Sequence, residues 1–573
     1  MLASQLSFLA SYAISLVRGS PATSCKCLYG DACWPSESDF NQLASRLSQP
    51  LVHPTPPESA CYPASNPSGN CTDVQVNYDN GTWRADQVGA LQHTNFQSFI
   101  FPNDTIGACY LNTTLGAPCG QGRIPPTGVD ARSPEDIQAA VQFAAEHNLR
   151  LVVKNTGHDY LGRSAARNAF MIWTHHLKNI TYNTAFVPAN SPSSETFKAL
   201  TLEAGVQWQE AYDAAEQNGR VIVGGISAGG SVGAAGGWVL GGGHSALAPT
   251  YGLGVDDALQ FTVIIASGEH LTANAYTNPD LFWALRGGGG GTYGVVTSVT
   301  YQTHDTTPLT ATILQSNFSD SGASAHAVAS EFLKIQPGLA DHGWGGYSVL
   351  TNASLNALMV NPNVSSEEAN ATFTPLAELM QSKSNDTQGF TVSAFPSFYA
   401  FYQQFFSKNG QVGANIEVSS RLYSRELYEE QPEKMASVLL SFEDGFATNH
   451  VAGGAVSRVD PDSVGLNPAW RNGVTLVIVG DSWDDGTSGE EIQNIKEKLK
   501  GYNDILESLQ PGSGTYFNEA SLYERNYQHT FFGSHYEKLE AIKDVYDPSG
   551  LFVVAEGVGS ERWDELLNCP KGY

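Results

Sequence analysis

Three kinds of residue in this chain could do chemistry by their type and spacing. The first is His158, in the stretch LRLVVKNTGHDYLGRSA (Leu149 to Ala165), where an apolar strand-like run gives way to a polar turn. Histidine titrates near neutral pH and its neutral ring is a nucleophile, so an imidazole held between Gly157 and Asp159 suits acid-base work or covalent attachment. The second is glycine, concentrated in VGGISAGGSVGAAGGWVLGGGHS (Val223 to Ser245) and LRGGGGGTYG (Leu285 to Gly294). Glycine lets main-chain N–H groups come close to a ligand, which suits a phosphate-rich cofactor. The third is serine: Gly225-Ile-Ser227-Ala-Gly229 and Gly229-Gly-Ser231-Val-Gly233 both match G-x-S-x-G, the nucleophile turn of serine hydrolases.

The elements that must hold these residues are legible around them. SPEDIQAAVQFAAEHN begins at Ser133, a helix N-cap, carries Glu135 and Asp136 in its first turn and continues with apolar residues at helical spacing. LRLVVK follows as a buried strand and delivers His158 into its turn. AFMIWTH, LEAGVQWQEAYDAAEQNG, VIVGG and LQFTVIIASGEHL continue the alternation of short strands and helices expected of an α+β body. A G-x-S-x-G serine needs a helix packed behind it, but here more glycine follows, at a cost of about 1 kcal/mol for each glycine in a helix. A secreted serine hydrolase therefore stands as the alternative. Gly289, Gly291 and Gly294 satisfy G-x-G-x-x-G, yet a helical DLFWALR precedes them and a strand-like VVTSVTY follows. That order is the reverse of the strand, turn and helix of a Rossmann fingerprint, which is rejected.

Composition bounds the rest. The 573 residues, 41% hydrophobic and 15% charged, suffice for two or three domains with sizeable cores. With 57 acidic against 30 basic side chains the formal charge is -27, which repels phosphate backbones and anionic lipid, so neither nucleic acid nor a membrane is an expected partner. The N-terminus, MLASQLSFLASYAISLVRGSPATS, reads as a signal peptide over residues 1–20, and no segment supplies the roughly 20 apolar residues of a membrane span. Seven of eight cysteines (Cys25, Cys27, Cys33, Cys61, Cys71, Cys109 and Cys119) crowd the N-terminal part and only Cys569 lies far away. No C-x2-C pair occurs, so disulfides are expected and no metal site, with connectivity not readable. N-x-S/T acceptors at Asn70, Asn80, Asn103, Asn112, Asn179, Asn317, Asn352, Asn363, Asn370 and Asn385 fit a secreted, extracellular glycoprotein.

Texture divides the chain. A Cys- and Pro-rich extension runs to about residue 120. After about 306 the glycine density falls and aromatics gather in FPSFYAFYQQFF, with VTLVIVGDSWD and GTYFNEA as expected strands of a second domain. The tail HYEKLEAIKDVYDPSGLF returns to a helix ending near Asp547-Pro548. No solenoid or propeller period is evident.

Together, TGVDARSPEDIQAAVQFAAEHNLRLVVKNTGHDYLGRS, the glycine segment ending in YGLGVDDAL, PDLFWALRGGGGGTYGVVTSV and the tail resemble the vanillyl-alcohol-oxidase and berberine-bridge-enzyme-like group of FAD-linked oxidases. Among fungal members the chain is most similar to secreted isoamyl-alcohol-oxidase-like proteins. The resemblance implies an α+β fold: a PCMH-type bipartite FAD-binding domain over 121–305 and 526–573, an antiparallel-sheet substrate domain over 306–525, and a disulfide-rich extension over 21–120.

It also implies roles for single residues. KNTGHD becomes the pyrophosphate turn, with Lys154, Asn155, Thr156, Gly157 and Asp159 at the cofactor and His158 joined covalently to the 8α-methyl of FAD. Gly237, Gly241, Gly242, Gly243 and His244 face the cofactor, and Gly254 and Val255 lie on a further loop beside it. Many relatives carry a second link from a cysteine early in the glycine segment. This chain has no cysteine between Cys119 and Cys569, so attachment through His158 alone is expected. Relatives place a Tyr-x-Asn strand over the ring; here Tyr516 is the expected base or its hydrogen-bond partner, and Asn518 contacts the cofactor. Glu519 stands where relatives often continue with tyrosine. Because a phenol titrates near 10, Tyr516 needs a neighbouring donor or positive charge, and His529 is the expected one. The implied cycle is hydride transfer from a C–H next to oxygen or nitrogen, then reoxidation by O2 to H2O2, in a monomer whose partners are a small-molecule substrate and O2. A flavin-bearing protein kept for binding is a further alternative.

Overall fold

The computed structural model describes residues 24–572 except 319–321, 385–388, 409 and 411. The expected signal peptide and the acceptor Asn385 therefore lie outside the described residues.

The chain folds as mixed helix and sheet. After the extension, with its short helices and a two-stranded antiparallel pair (Phe99–Ile100 with Ile106–Gly107), comes a small parallel sheet. Strand β1 (Thr127–Asp130) leads into helix α1 (Pro134–Glu146), then β2 (Leu151–Lys154) and β3 (Phe170–Trp173), with β3 in the middle and parallel to both neighbours. All three strands are buried along nearly their whole length because a parallel sheet is covered on both faces; β2 (LVVK) and β3 (FMIW) read as apolar runs for that reason, whereas β1 (TGVD) buries Thr127 and Asp130 as well. Helix α1 starts as its sequence dictates: Ser133 Oγ accepts from the Asp136 N–H at 3.2 Å and Pro134 occupies the first helical position. Its buried stripe of Ile137, Ala140, Val141 and Ala144 packs with Phe170 and Ile172 in one core.

Five further strands form an antiparallel sheet. They are β4 (Ile180–Phe186), β5 (Phe197–Glu203), β6 (Ala258–Ile264), β7 (His270–Asn274) and β8 (Val295–Gln302), in the spatial order β7-β6-β8-β5-β4, with helix α2 (Trp208–Gln217) following β5. Both glycine segments lie between strands of this sheet, one between β5 and β6 and the other just before β8.

A seven-stranded antiparallel sheet follows. It holds β9 (Leu309–Asn317), β10 (Gly345–Leu350), β11 (Ser354–Pro362), β12 (Phe390–Phe395), β13 (Asn415–Ser424), β14 (Phe446–His450) and β15 (Gly473–Trp483), ordered β12-β9-β11-β10-β14-β15-β13. Helices α3 (Ala323–Asp341), α4 (Ser366–Lys383) and α5 (Gly489–Leu509) share a core with it, through Phe332, Phe373 and Leu506 among others. VTLVIVGDSWD is strand β15 as expected. GTYFNEA is not a strand: Gly514 makes a single bridge to Leu422, and the segment then turns, with the Glu519 N–H donating to the Tyr516 carbonyl at 3.0 Å. The pattern of tyrosine, phenylalanine and asparagine suits an extended segment locally, but its pairing with strand β13 stops at the one bridge from Gly514.

The tail returns to the first half of the chain. In helix α6 (Tyr536–Tyr546) Lys543 reaches into the second glycine segment, donating to the carbonyls of Thr292 and Phe552 at 2.8 Å each while paired with Asp547 at 2.9 Å. Every cysteine is in a disulfide: Cys25–Cys569, Cys27–Cys33, Cys61–Cys71 and Cys109–Cys119. Among the described residues no helix is long and apolar enough to cross a membrane.

Candidate active site

The parallel sheet, the antiparallel five-stranded sheet and the tail surround a cleft walled by the His158 turn, both glycine segments and the segment 516–519. Glycine at 157 takes a φ of +81°, which lets β2 turn sharply into the cleft. Among the described residues the N–H groups of Thr156, Gly157 and His158 have no acceptor, while their turn is braced from behind by Gln92. The Gln92 side chain donates to the Thr156 carbonyl at 2.9 Å and its backbone N–H to the Gly157 carbonyl at 3.2 Å. Successive unpaired N–H groups on one concave turn form an anion-binding nest.

His158 borders the cleft, and its Nε2 lies 2.8 Å from Ser231 Oγ. Surrounding protein, and to a lesser extent nearby His93, push its pKa down to about 3, so the ring is neutral at ordinary pH. With Nε2 occupied by the serine, Nδ1 is the ring nitrogen without a protein partner.

The other expected site residues divide into two groups. Asn155, Thr156, Gly157, Asp159, Gly237, His244, Tyr516 and Asn518 line the cleft with His158. Lys154 does not: its ammonium turns the other way, donating to the carbonyls of Gln87 and Val88 at 2.7 and 3.1 Å and lying over the Trp173 ring. Residues alternate faces along a strand, so the last residue of β2 points away from the cleft that the turn after it enters. Gly241, Gly242, Gly243, Gly254 and Val255 also stand behind the wall. A side chain at Gly241 would meet Asn518, at Gly242 Leu466, and at Gly243 or Gly254 the Trp238 ring, all within 2.8 Å. Val255 is fully buried in the core. These residues let the lining side chains approach one another. His529 is exposed, bonds the Gly512 carbonyl at 3.1 Å and is absent from the cleft, so it brings no charge to Tyr516.

Residues not singled out from the sequence complete the site. Arg163 pairs with Asp159 at 3.0 Å, donates to Asn518 Oδ1 at 2.9 Å and lies over the Phe517 ring. Asn518 in turn donates to the Tyr516 hydroxyl at 2.8 Å, and that hydroxyl donates to the Trp238 carbonyl at 3.3 Å. Burial above all, with the Glu519 charge behind it, pushes the phenol pKa up. Glu519 joins His244 Nε2 at 3.1 Å and Asn449 Nδ2 at 3.3 Å. The signals were present: Arg163 lies five residues after His158, and Glu519 directly follows Asn518. Gly290, Gly291 and Gly294 also line the cleft, although their segment runs in the wrong order for a Rossmann turn.

The donor set fits a flavin dinucleotide. The nest suits a pyrophosphate, and Gly237 and Gly290 leave open space beside it, with no atom within 3.6 Å of a side chain placed on either. Buried polar atoms on the lining, Asn155 Oδ1, Arg163 Nη1 and His244 Nδ1, have no protein partner. Such atoms are costly unless a ligand satisfies them. A serine hydrolase is not supported. Ser231 follows a single three-residue turn, Ala228–Gly230, with no helix behind it, and an imidazole held near 3 is a poor base for a hydroxyl.

Comparison with known proteins agrees with this geometry. Residues 125–274 match the family described as FAD binding domain, and residues 515–559 the family described as berberine and berberine like. An uncharacterized FAD-linked oxidoreductase of Arthroderma benhamiae is 37% identical, covering 95% of each chain. The crystal structure of the VAO-type flavoprotein MtVAO615 from Myceliophthora thermophila C1 superimposes with a TM-score of 0.84 at 30% identity, covering 94% of this chain and 98% of that one. A glucooligosaccharide oxidase from Acremonium strictum, described with a 6-S-cysteinyl, 8α-N1-histidyl FAD, shares the fold with a TM-score of 0.62 at 21% identity, covering 76% of this chain and 92% of that one.

Proposed function

This chain belongs to the FAD-linked oxidoreductases of the vanillyl-alcohol-oxidase and berberine-bridge group, and from that premise we propose that it is a secreted oxidase with FAD attached through His158 alone. The observation that carries the attachment is the His158–Ser231 contact of 2.8 Å, which holds the neutral ring of this cleft-lining residue by Nε2 and leaves Nδ1 without a protein partner. A histidyl nitrogen is the attachment point described for the glucooligosaccharide oxidase. The cysteinyl link described there has no counterpart, because all eight cysteines of this chain are in disulfides. Asn155, Thr156, Gly157 and Asn518 hold the cofactor, with Gly237 giving it room.

FAD held by these residues would supply a hydride acceptor for a substrate C–H next to oxygen or nitrogen, and O2 would take up the electron pair with two protons to give H2O2. The protein must take the proton from the substrate O–H or N–H. Tyr516 is poorly suited to be that base, because burial disfavours its phenolate; it serves as a fixed hydrogen-bonding group. His244 is better placed: Glu519 holds its Nε2, and its buried Nδ1 on the cleft wall has no partner and can accept a proton. Export is supported by the four disulfides and by nine described N-x-S/T acceptors, of which eight are exposed and Asn80 is half-buried.

Acid precipitation of the purified protein tests the attachment. Yellow colour should stay with the pellet for the native chain and pass to the supernatant for His158→Ala. Colour staying with the His158→Ala pellet, or flavin mass on any peptide without His158, overturns it. Anaerobic bleaching by a panel of alcohols, sugars and phenolics, followed by O2 consumption, tests the oxidase activity and identifies its substrate.

A further inference from the structure

A second cavity lies beneath the C-terminal tail and is lined by Arg123, Arg150, Arg163 and Arg167, with Glu565 the single acidic lining residue. We propose that it is a binding site for a small oxyanion. Arginine is the side chain best shaped for planar recognition of carboxylate, phosphate or sulfate.

The charge balance in the cavity points the same way. In a chain of formal charge -27, among the described residues neither Arg123, Arg150 nor Arg167 has a carboxylate within ion-pair distance. Arg150 is 5% exposed; its Nη1 donates to the carbonyls of Leu151 and Val553 at 3.1 and 2.8 Å, and its buried Nε–H has no partner. Arg123 donates from Nη2 to the carbonyls of Gly162 and Ala165 at 3.0 and 3.2 Å. Backbone carbonyls therefore fix the direction of both guanidinium groups without neutralising them. Burial, and after it repulsion from Arg123, push Arg150 down to about 10, so it is still charged at neutral pH. Arg167 stands exposed with its guanidinium over Phe99 and Phe101, at 5.1 and 4.7 Å from the ring centres. Asp564 acts on Arg150, and Asp159 and Glu417 on Arg123, only from beyond ion-pair distance; buried positive charge without a paired counter-charge is costly, and a bound anion lowers that cost.

The cavity is distinct from the flavin cleft but shares a wall with it. Arg163 and Val554 line both, and Arg163 is paired with Asp159, so the three unpaired arginines define the new site. The proposal stands whether or not the flavin attachment is as described above.

Thermal melting of the FAD-saturated protein tests it, in phosphate, sulfate or acetate against sodium chloride at equal ionic strength. Saturation with FAD keeps the nest of the cleft from taking the added anion. Phosphate and sulfate also stabilise proteins by exclusion from the surface, so the readout is the difference between the native chain and a variant. A saturable rise in melting temperature of several degrees at millimolar anion, lost in Arg150→Gln and reduced in Arg167→Gln, supports the site. Phosphate and sulfate acting without acetate mark a tetrahedral oxyanion; acetate acting alone marks a carboxylate. Arg167 is exposed, so if Arg150→Gln fails to fold, Arg167→Gln carries the same test. No saturable rise with any of the three anions, or an equal rise in Arg167→Gln, overturns the proposal.

Discussion

At the scale of the residue, three histidines that look alike in sequence are given different work by what they touch. His158 is held by a serine, His244 by a carboxylate, and His450 is buried in the seven-stranded sheet with Ser348 Oγ 2.9 Å from its Nε2. His244→Ala should lower kcat/KM by about 10²–10⁴-fold, the range for loss of a general base, with flavin content unchanged in the visible spectrum. Glu519→Gln should cost less and move the acid limb of the pH profile, because it orients His244 without taking the proton itself. An unchanged profile would remove Glu519 from the mechanism. His450 offers a test of linkage. Burial pushes its folded pKa down to about 3 against an unfolded value near 6.5, so below pH 6.5 the unfolded state binds a proton that the folded state refuses. Its contribution is full above pH 6.5 and is lost as pH falls toward 3. Between pH 6.5 and 5.5 the native chain should lose about 1 kcal/mol relative to His450→Gln, measured by denaturant unfolding at each pH.

At the scale of the element, the unit that matters is the strand β2 with the turn after it. Its apolar run and its glycine are local features, which is why the turn could be located before any fold was known. What stands behind the turn was not local. The Cys-rich extension braces it through Gln92 and His93, the latter packing on Tyr160 with ring centres 4.6 Å apart. Gly157→Ala should cost about 1–2 kcal/mol for the left-handed backbone alone. A side chain there would also approach Leu91 Cα at 3.1 Å, pressing turn and extension apart. The expected result is a lower melting temperature together with incomplete flavin attachment, read by the ratio of visible to 280 nm absorbance. Full occupancy would show that the turn tolerates the change.

At the scale of the whole molecule, the two ends of the described chain are joined. Cys25–Cys569 closes a loop of 544 residues, so the extension and the tail, both in contact with the site, are held to one body. Cys569→Ser should destabilise the protein by about 2–5 kcal/mol, as for native disulfides generally. Activity at low temperature should survive, because neither cysteine lines the cleft. Loss of flavin at low temperature would instead place the tail's anchoring within the binding machinery. Acidity belongs to this scale as well: in a chain of formal charge -27, one cavity gathers three arginines that have no ion pair among the described residues.

Short-range chemistry was decided by the sequence itself. The capped helix before β2, the glycine turn, the position of His158, the absence of a spare cysteine and the membership in a flavin-binding family all follow from residues close together in the chain. Only the tertiary structure decided which partners meet. Ser231 finds His158 across 73 residues, Glu519 finds His244 across 275, and Cys569 finds Cys25 across 544. It also turned Lys154 away from the cleft, left His529 at the surface and placed five expected cofactor residues behind the wall. The physical reason is common to all of these. Backbone preference and spacing act over a few residues, whereas the direction and protonation of a side chain are set by whatever the folded sheets bring against it.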